Sequence, residues 1–277
     1  MLPDTRSAAD ITFRESGRAD APALVLLHGI GSTSAGWRLQ YEPLGAHFRV
    51  VAWDAPGYGG SRPLEGDAPP AEAYAQALAR LMDALGVREA LIGTSSWGTA
   101  TGVVFARLHP QRVRGLVLGG PSAGWGWLPR EERERRLASR VKRVRTLGVK
   151  RMREDDAGEL VPPGTRAEVL QWIRGSEGLS AEGYAQAAHM LAAVDVAREA
   201  ASVKCPARVV AGELDKRTPP ESNAHRIAAA LANGKLVMLP ECGHLPHLEY
   251  PEKFNAVVLE LAQSVSSQRA AARAISS

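Results

Sequence analysis

The sequence is poor in cysteine and contains no long apolar run. Only two cysteines, Cys205 and Cys242, occur among 277 residues, too few for a disulfide framework and not at a metal-ligand spacing. We therefore predict two free thiols in a reducing compartment. The first ten residues are polar and lack the apolar core of a signal peptide. The longest apolar runs are far shorter than the roughly 20 residues of a membrane helix. These absences predict a cytoplasmic protein that does not contact a membrane.

A strong excess of one charge is also lacking. The chain has 34 Lys and Arg against 30 Asp and Glu, a net charge of +4. Many of the basic residues lie between Arg130 and Arg153, where glutamates interrupt them. Such a mixed run predicts a solvated helix face, and we expect no nucleic-acid partner. The alternative is that one of these cations binds a carboxylate of a small substrate. The oligomeric state cannot be read from this pattern.

Short apolar stretches alternate with helical patterns along the first 120 residues. Residues 11–15 alternate apolar and polar, which is typical of a half-buried edge strand. Near-continuous apolar runs, typical of strands buried on both faces, follow at residues 23–27, 49–53, 90–93 and 113–118. Helical spacing marks residues 71–85 and 97–108. This alternation predicts the α/β class, with a doubly wound, mostly parallel sheet covered by helices on both faces.

The alternation stops after residue 121. Residues 122–200 show helical patterning with proline and glycine interruptions but no clear strand. Strand patterns resume near residues 207–211 and 236–239, and a final helix begins near Pro251. We therefore predict a sheet core from residues 1–121 and 201–277, with a helical cap inserted at 122–200.

The turn Gly-Thr-Ser-Ser-Trp-Gly lies between a predicted strand and a predicted helix, where a nucleophile elbow would stand. In such an elbow the residues two before and two after the nucleophile are crowded and should be small. If Ser95 were the nucleophile, the bulky Trp97 would fall two residues after it. If Ser96 is the nucleophile, Gly98 fits and Thr94 replaces the usual first glycine. Because threonine intrudes less than an indole, size favours Ser96 over Ser95.

Four further segments carry a resemblance to a known superfamily. They are Leu-Leu-His-Gly-Ile-Gly at residues 26–31, the turn at residues 53–61, the strand end at 209–215 and Cys-Gly-His-Leu-Pro-His at 242–247. In this order they resemble the oxyanion loop, second turn, acid-bearing strand end and histidine loop of α/β hydrolases. The resemblance implies the α/β-hydrolase fold, and Pro110, fourteen residues after Ser96, also matches the superfamily's spacing.

The resemblance implies a catalytic triad of Ser96, Asp215 and His244. A serine hydroxyl is a weak nucleophile that needs an adjacent base, and the base needs an orienting acid. The chain order Ser, Asp, His is that of α/β hydrolases. By the same resemblance, the backbone N–H groups of Ile30 and Trp97 are the candidate oxyanion donors. No metal and no cofactor are implied.

The predicted reaction is hydrolysis of a small-molecule carboxylic ester or lactone through an acyl-enzyme. The length and helical style of the insertion are similar to those of 3-oxoadipate enol-lactonase-type hydrolases, although Thr94 departs from their usual elbow. Five side chains are candidates for the substrate pocket, with a loop-shaping role competing for the first and a place in the cap's own core competing for the others: His28, Trp125, Trp127, Trp172 and Tyr184.

Two other functions stay open. A carbon–carbon bond hydrolase of meta-cleavage products uses the same triad, but that group usually has a tryptophan soon after the catalytic Gly-His, and Leu245 stands here. A ligand receptor could retain the same fold without turnover. An epoxide hydrolase or dehalogenase is disfavoured, because those enzymes carry an aspartate at the elbow.

Overall fold

The computed structural model describes residues 1–175 and 177–276. Eight strands form one sheet in this part of the chain. They are β1 (Thr5–Ala8), β2 (Ile11–Ser16), β3 (Ala23–Leu27), β4 (Arg49–Trp53), β5 (Ala90–Ser95), β6 (Val113–Gly119), β7 (Ala207–Gly212) and β8 (Gly234–Leu239). Their order across the sheet is β1-β2-β4-β3-β5-β6-β7-β8. The pairs β1–β2 and β2–β4 are antiparallel, and the other pairs are parallel.

The N-terminal edge of this sheet differs from the prediction. Residues 11–15 lie in β2, which has a neighbour on each side, so their assignment as an edge strand was wrong. The edge strand is β1, a polar segment whose sequence has no apolar alternation to reveal it. A tight turn joins the two strands, with Ala9 and Asp10 both at positive φ, 50° and 63°. Two consecutive residues of this kind give the turn a twist that matches a hairpin.

Ten α-helices belong to the described residues. They are α1 (Tyr41–Gly45), α2 (Ala71–Ala84), α3 (Gly98–Leu108), α4 (Arg130–Leu160), α5 (Ala167–Arg174), α6 (Ala181–Ala193), α7 (Val196–Ala200), α8 (Ala224–Ala230), α9 (Pro246–Glu249) and α10 (Pro251–Ser276). None of the described helices is long and apolar enough to cross a membrane.

The sheet is covered on both faces, which confirms the doubly wound prediction. In β3, Val25 and Leu27 face a core that includes residues of α2, α3 and α8. Leu24 and Leu26 face the opposite core, which contains residues of α1 and α10. All four side chains are almost fully buried. Because both faces of such a strand exclude water, its sequence is a continuous apolar run without alternation.

Four helices, α4 to α7, lie between β6 and β7. Helix α4 is broken at Gly148, whose φ of 73° and ψ of 159° are not helical. Small apolar clusters of this segment centre on Val149 and Tyr184, and on Leu160 and Ile173. Helix α7 packs instead against α3 and α8, beside the sheet. The predicted cap, residues 122–200, therefore includes helices that form their own apolar clusters and a helix, α7, that packs beside the sheet. The boundaries of the cap stay a prediction.

Candidate active site

The turn after β5 places Ser96 in a strained backbone conformation. Its φ is 51°, in the left-handed region that a residue with a side chain rarely adopts. Helix α3 begins two residues later at Gly98, where a Cβ atom would lie only 2.5 Å from the carbonyl oxygen of Leu27. The glycine is therefore required for the helix to approach β3. Ser95 is the last residue of β5, so the strained turn position belongs to Ser96.

Ser96 begins a continuous series of hydrogen bonds, which we call the triad relay. Its Oγ lies 2.9 Å from Nε2 of His244, and Nδ1 of His244 lies 2.8 Å from Oδ2 of Asp215. The backbone N–H groups of Arg217 and Thr218 each donate to Oδ1 of Asp215 at 2.9 Å. The Thr218 hydroxyl donates to Oδ2 at 2.8 Å. The structure thus brings the three predicted side chains together and fixes the carboxylate that orients the imidazole.

The electrostatics of Asp215 favour its charged form. Burial alone would raise the pKa of this carboxyl, because a low dielectric disfavours the charge. The charge of His244 and the hydrogen bonds from His244 and Thr218 act in the opposite direction and prevail, so the pKa of Asp215 lies below its ordinary value. The carboxylate can therefore stabilise an imidazolium on its neighbour.

The loop that carries His244 is fixed at both sides of the residue. The backbone N–H groups of Gly243 and Leu245 both donate to the carboxylate of Glu249, each at 2.8 Å. The backbone N–H of His244 donates at 2.8 Å to the carbonyl oxygen of Leu160, the last residue of α4. The position of the imidazole therefore depends on α9 and on the inserted helices as well as on the sheet.

The two predicted oxyanion donors lie in different loops: Ile30 follows β3 and lines the same cavity as Ser96, and Trp97 follows Ser96 in the chain. Within residues 1–175 and 177–276, neither the backbone N–H of Ile30 nor that of Trp97 donates a hydrogen bond. Trp97 directly follows Ser96, and its indole turns into the core, where it packs against Tyr58 and Tyr74. The bulk of this elbow residue is thus buried away from the substrate side, and its backbone amide is available.

A cavity of about 440 Å³ opens above Ser96 and His244. Its size suits a small-molecule ligand. Trp125, Trp172 and Tyr184 line it, as predicted for pocket residues. These three side chains come from the segment between β6 and β7, so the inserted helices form one wall of the cavity.

Two predicted pocket residues lie elsewhere. His28 is 1% exposed, and both of its ring nitrogens are used within the loops, with Nδ1 near Gly29 O and Nε2 accepting from the Ala55 N–H. It therefore shapes the oxyanion loop. Trp127 is 38% exposed at the surface, donates from Nε1 to Gly124 O and stacks under Arg226. Neither side chain lines the cavity.

Cationic side chains line the cavity as well, and the sequence did not single them out. They are Arg14, Arg38, Arg140, Arg153 and Arg217. Two of them, Arg140 and Arg153, come from the basic run that was predicted to be a solvated face. The described residues contain no group of three or more His, Cys, Asp or Glu side chains that could hold a metal ion.

Comparison with known proteins places this geometry in a family. A family model described as an alpha/beta hydrolase family matches residues 24–257. A Pseudomonas putida protein named 2-hydroxy-6-oxononadienedioate/2-hydroxy-6-oxononatrienedioate hydrolase 2 is 30% identical over 253 residues, which cover 88% of each chain.

Solved structures agree with this assignment. The enol-lactonase from Burkholderia xenovorans LB400 superposes with a TM-score of 0.80 at 25% identity, over 94% of this chain and 100% of the other. A malate-bound thermophilic esterase from Thermogutta terrifontis superposes with a TM-score of 0.81 at 28% identity, over 96% and 98%. With the doubly wound sheet and the matched segment of residues 24–257, these findings show that the chain belongs to the alpha/beta hydrolase family.

Proposed function

We propose that this chain is a serine hydrolase that cleaves a carboxylic ester or a lactone through an acyl-enzyme on Ser96. The observation that carries the proposal is the triad relay from Ser96 Oγ through His244 to Asp215, with the serine at positive φ. Strain at such a position keeps the hydroxyl out of the strand and next to its base. The similar enol-lactonase and esterase structures support an ester or lactone as the substrate.

In the proposed reaction, His244 Nε2 takes the proton of Ser96 as Oγ attacks the substrate carbonyl. The negative charge on the carbonyl oxygen is stabilised by the N–H groups of Ile30 and Trp97, each contributing about 3 kcal/mol. His244 then protonates the leaving oxygen, and the acyl-enzyme forms. Water, activated by His244, releases the acid and restores Ser96. When the substrate is a lactone, the released hydroxyl stays attached to the acyl chain, and the product of the last step is a single hydroxy acid.

We also propose that residues 122–200 act as the cap over this reaction. The support is their contribution to the cavity wall through Trp125 and Tyr184. A second support is the hydrogen bond from the backbone N–H of His244 to Leu160 O. A wall of this kind excludes bulk water from the acyl-enzyme and strengthens the electrostatic interactions inside the site.

The proposal is tested with a fluorophosphonate probe followed by intact-mass spectrometry and peptide mapping. We expect one adduct, located on Ser96. The variant Ser96→Ala should form no adduct and hydrolyse no ester or lactone, whereas Ser95→Ala should keep both properties. The reverse result would move the nucleophile to Ser95. Tight binding of esters or lactones with no adduct and no turnover would indicate a ligand receptor instead.

The second candidate is hydrolysis of a carbon–carbon bond, and one observation favours it. The relative from Pseudomonas putida, at 30% identity, is named as a hydrolase of 2-hydroxy-6-oxononadienedioate. The two candidates separate when purified protein is given a dienedioate of this class and, in parallel, a panel of simple esters and lactones. A kcat/KM for the dienedioate at least 100-fold above every ester and lactone would replace our proposal with the second candidate.

A further inference from the structure

One cation of the cavity wall stands directly beside the oxyanion loop. Arg153 projects from the second half of α4 toward Gly31, which follows the candidate oxyanion donor Ile30. A Cβ atom built on Gly31 would lie 2.6 Å from Nη1 of Arg153 and 2.7 Å from its Cδ. Glycine at this position is therefore what allows the guanidinium to lie against the loop. The cation therefore lies beside the residue that follows Ile30 and lines the same cavity as Ser96.

Arg153 has no carboxylate partner among the described residues, in contrast to Arg217. Within residues 1–175 and 177–276, its one hydrogen bond runs from Nη2 to Ile173 O at 3.3 Å. Its Nε is buried and has no hydrogen-bond partner among the described residues. In the same part of the chain, no carboxylate lies within 4.0 Å of it; Asp156, one helical turn away, pairs with Arg143 and Arg217 instead. The guanidinium is thus open to a ligand.

The neighbouring arginines of the cavity are engaged. Arg217 also pairs with Glu159 at 3.2 Å. Arg38 lies 4.7 Å over the ring of Trp172, and Arg140 lies 5.0 Å over the ring of Trp125. Arg14 resembles Arg153 in having a backbone carbonyl, Pro3 O, as acceptor and a buried Nε without a partner among the described residues. What distinguishes Arg153 is its place against Gly31 of the loop that follows β3.

A half-buried cation without a counter-charge is unfavourable for the folded protein. Burial lowers the pKa of Arg153 to about 10, which still leaves the group charged at neutral pH. A carboxylate can pair with a guanidinium through two parallel hydrogen bonds, an arrangement stronger than a single neutral one. A substrate carboxylate would therefore supply the missing partner.

The cleft beside the cavity has the same electrostatic character. It shares Trp125, Arg140, Asp156, Tyr184 and Arg217 with the cavity, so the two spaces adjoin each other. Its further cationic residues are Arg135, Arg136, Arg143 and Lys216, against one further carboxylate, Glu159. An opening lined by an excess of one charge concentrates ligands of the opposite charge.

We propose that Arg153 binds a carboxylate of the substrate, so that the ester or lactone cleaved at Ser96 is an anionic one with its carboxylate close to the reacting carbonyl. This inference rests on the proposed function and specifies its substrate class. The neutral portion of the substrate occupies the aromatic wall formed by Trp125 and Tyr184, and Arg153 orients the carbonyl toward the oxyanion donors.

The test compares mono-4-nitrophenyl adipate with methyl 4-nitrophenyl adipate, which differ only in the free carboxylate. We expect wild-type protein to prefer the anionic ester. Arg153→Met should lower kcat/KM for the anionic ester by about 10- to 100-fold, mainly through KM, and change the neutral ester by less than about 2-fold. Arg153→Lys keeps the charge but not the two-point geometry, so its loss should be intermediate.

The matched control is Arg151→Met, which removes an exposed cation two residues away in the same helix. Its side chain is 65% exposed and pairs with Asp155 on the surface. We expect no change in either ester. An equal loss for both esters in Arg153→Met would mean that Arg153 only supports the fold. An unchanged preference would mean that another cation binds the carboxylate. Either result would overturn the inference while leaving the proposed function intact.

A binding measurement separates this inference from the proposed function. Calorimetric titration with adipate requires no turnover, and we expect Arg153→Met to weaken adipate binding by at least 10-fold relative to wild type. If wild-type protein formed no fluorophosphonate adduct and cleaved neither ester, the proposed function would fail and this titration alone would decide the role of Arg153. If the charge-preserving Arg153→Lys bound adipate no more tightly than Arg153→Met, the inference would be wrong.

Discussion

Thr94 stands where the elbow of related hydrolases has glycine, and α3 supplies the room for its side chain. Thr94 is fully buried, and its hydroxyl lies 3.1 Å from that of Thr99. A Cβ atom built on Gly102 would lie 2.7 Å from Cγ2 of Thr94. The missing elbow glycine is thus compensated about one turn into α3, by a glycine that faces the threonine methyl.

We therefore predict that Gly102→Ala destabilises the protein by about 1–3 kcal/mol through overpacking, although alanine favours a helix. Thr94→Ser removes the obstructing methyl and keeps the hydroxyl. In the double variant the penalty of Gly102→Ala should largely disappear, because the two sites share one contact. Chemical denaturation of the four proteins gives the coupling energy. Additive effects of the two substitutions would contradict this account.

A second prediction for a single residue concerns Asp215 and its hydrogen bond to His244. Asp215→Asn replaces the acceptor of the His244 Nδ1–H bond with an amide that can select the wrong tautomer. We expect kcat to fall about 10⁴-fold, as loss of the acid does in other triads. Glu213→Gln is the matched control, since Glu213 is exposed two residues before Asp215. Near-normal turnover in Asp215→Asn would assign the orienting role to another carboxylate.

Sequence reasoning identifies a candidate site residue where its neighbours along the chain restrict what can stand there. Ser96 is distinguished from Ser95 by the size of flanking residues, and the structure finds Ser96 at positive φ. Arg153 is different, because it stands in a run of many arginines, and which of them line the cavity depends on the course of α4, which is broken at Gly148. The positions of His28 and Trp127 outside the cavity lining were not visible in the sequence either, since burial and exposure depend on distant loops.

At the scale of elements, strands and helices were predicted where burial leaves a periodic pattern. The apolar runs of β3 and β4 are visible because both faces of each strand are covered. Strand β1 was missed, since a polar edge strand of four residues has no such pattern. Its pairing with β2 depends on the turn at Ala9 and Asp10, where neither residue is the glycine that usually signals positive φ.

The short helix α9, which follows the loop of His244, contains a buried histidine that makes the stability of the protein depend on pH. His247 packs between Trp37 and Phe254, with ring centroids 4.5 Å and 6.0 Å away. Its Nδ1 is buried without a hydrogen-bond partner among the described residues. Burial, and to a smaller extent the charge of His244, lowers the pKa of His247 to about 3. The folded protein therefore keeps this imidazole neutral.

The sign of the pH effect follows from that lowered pKa. Above the unfolded-state value, near 6.5, His247 is neutral in both states and has no effect. Below this pH the unfolded chain binds a proton at His247 and the folded protein does not. The free energy of unfolding therefore falls by up to about 1.4 kcal/mol per pH unit. We predict that His247→Phe removes this loss. Between pH 8 and pH 5, the free energy of unfolding of the variant should therefore rise by about 2 kcal/mol relative to that of the wild type.

Urea denaturation of wild-type protein and His247→Phe at pH 8 and pH 5 measures the difference. The variant keeps an aromatic ring against Trp37 and leaves the backbone carbonyl of residue 247 free to accept from Gln40. Because the comparison is made between the two pH values, any change in packing cancels. Equal pH slopes for the two proteins would show that His247 is protonated in the folded state.

At the scale of the whole molecule, the parallel sheet explains why distant residues form one site. Ser96, Asp215 and His244 follow β5, β7 and β8, and parallel strands end at the same edge of a sheet. The resemblance of these segments to α/β hydrolases named the three side chains, and the parallel sheet explains why segments so far apart in sequence lie together. The cavity above it depends on how α4 to α6 pack over that edge, which no local pattern specifies.

The charge distribution of the molecule gives the last prediction. The net charge of +4 is small, yet the cleft that leads to the cavity combines six cationic side chains with two carboxylates. Such a local field attracts an anionic ester, and salt screens it over a Debye length of about 10 Å at 0.1 M. We predict that kcat/KM for mono-4-nitrophenyl adipate falls as NaCl rises from low to high concentration, while kcat/KM for the methyl ester stays constant.

The double variant Arg135→Gln/Lys216→Gln should flatten this salt dependence, because it removes two exposed cations of the cleft. The matched control, Arg88→Gln/Lys235→Gln, removes the same charge from exposed positions at the opposite edge of the sheet, before β5 and at the start of β8. It should keep the wild-type slope. If both double variants flattened the salt dependence of kcat/KM to the same extent, net charge, and not the cleft, would guide the anionic ester to Ser96.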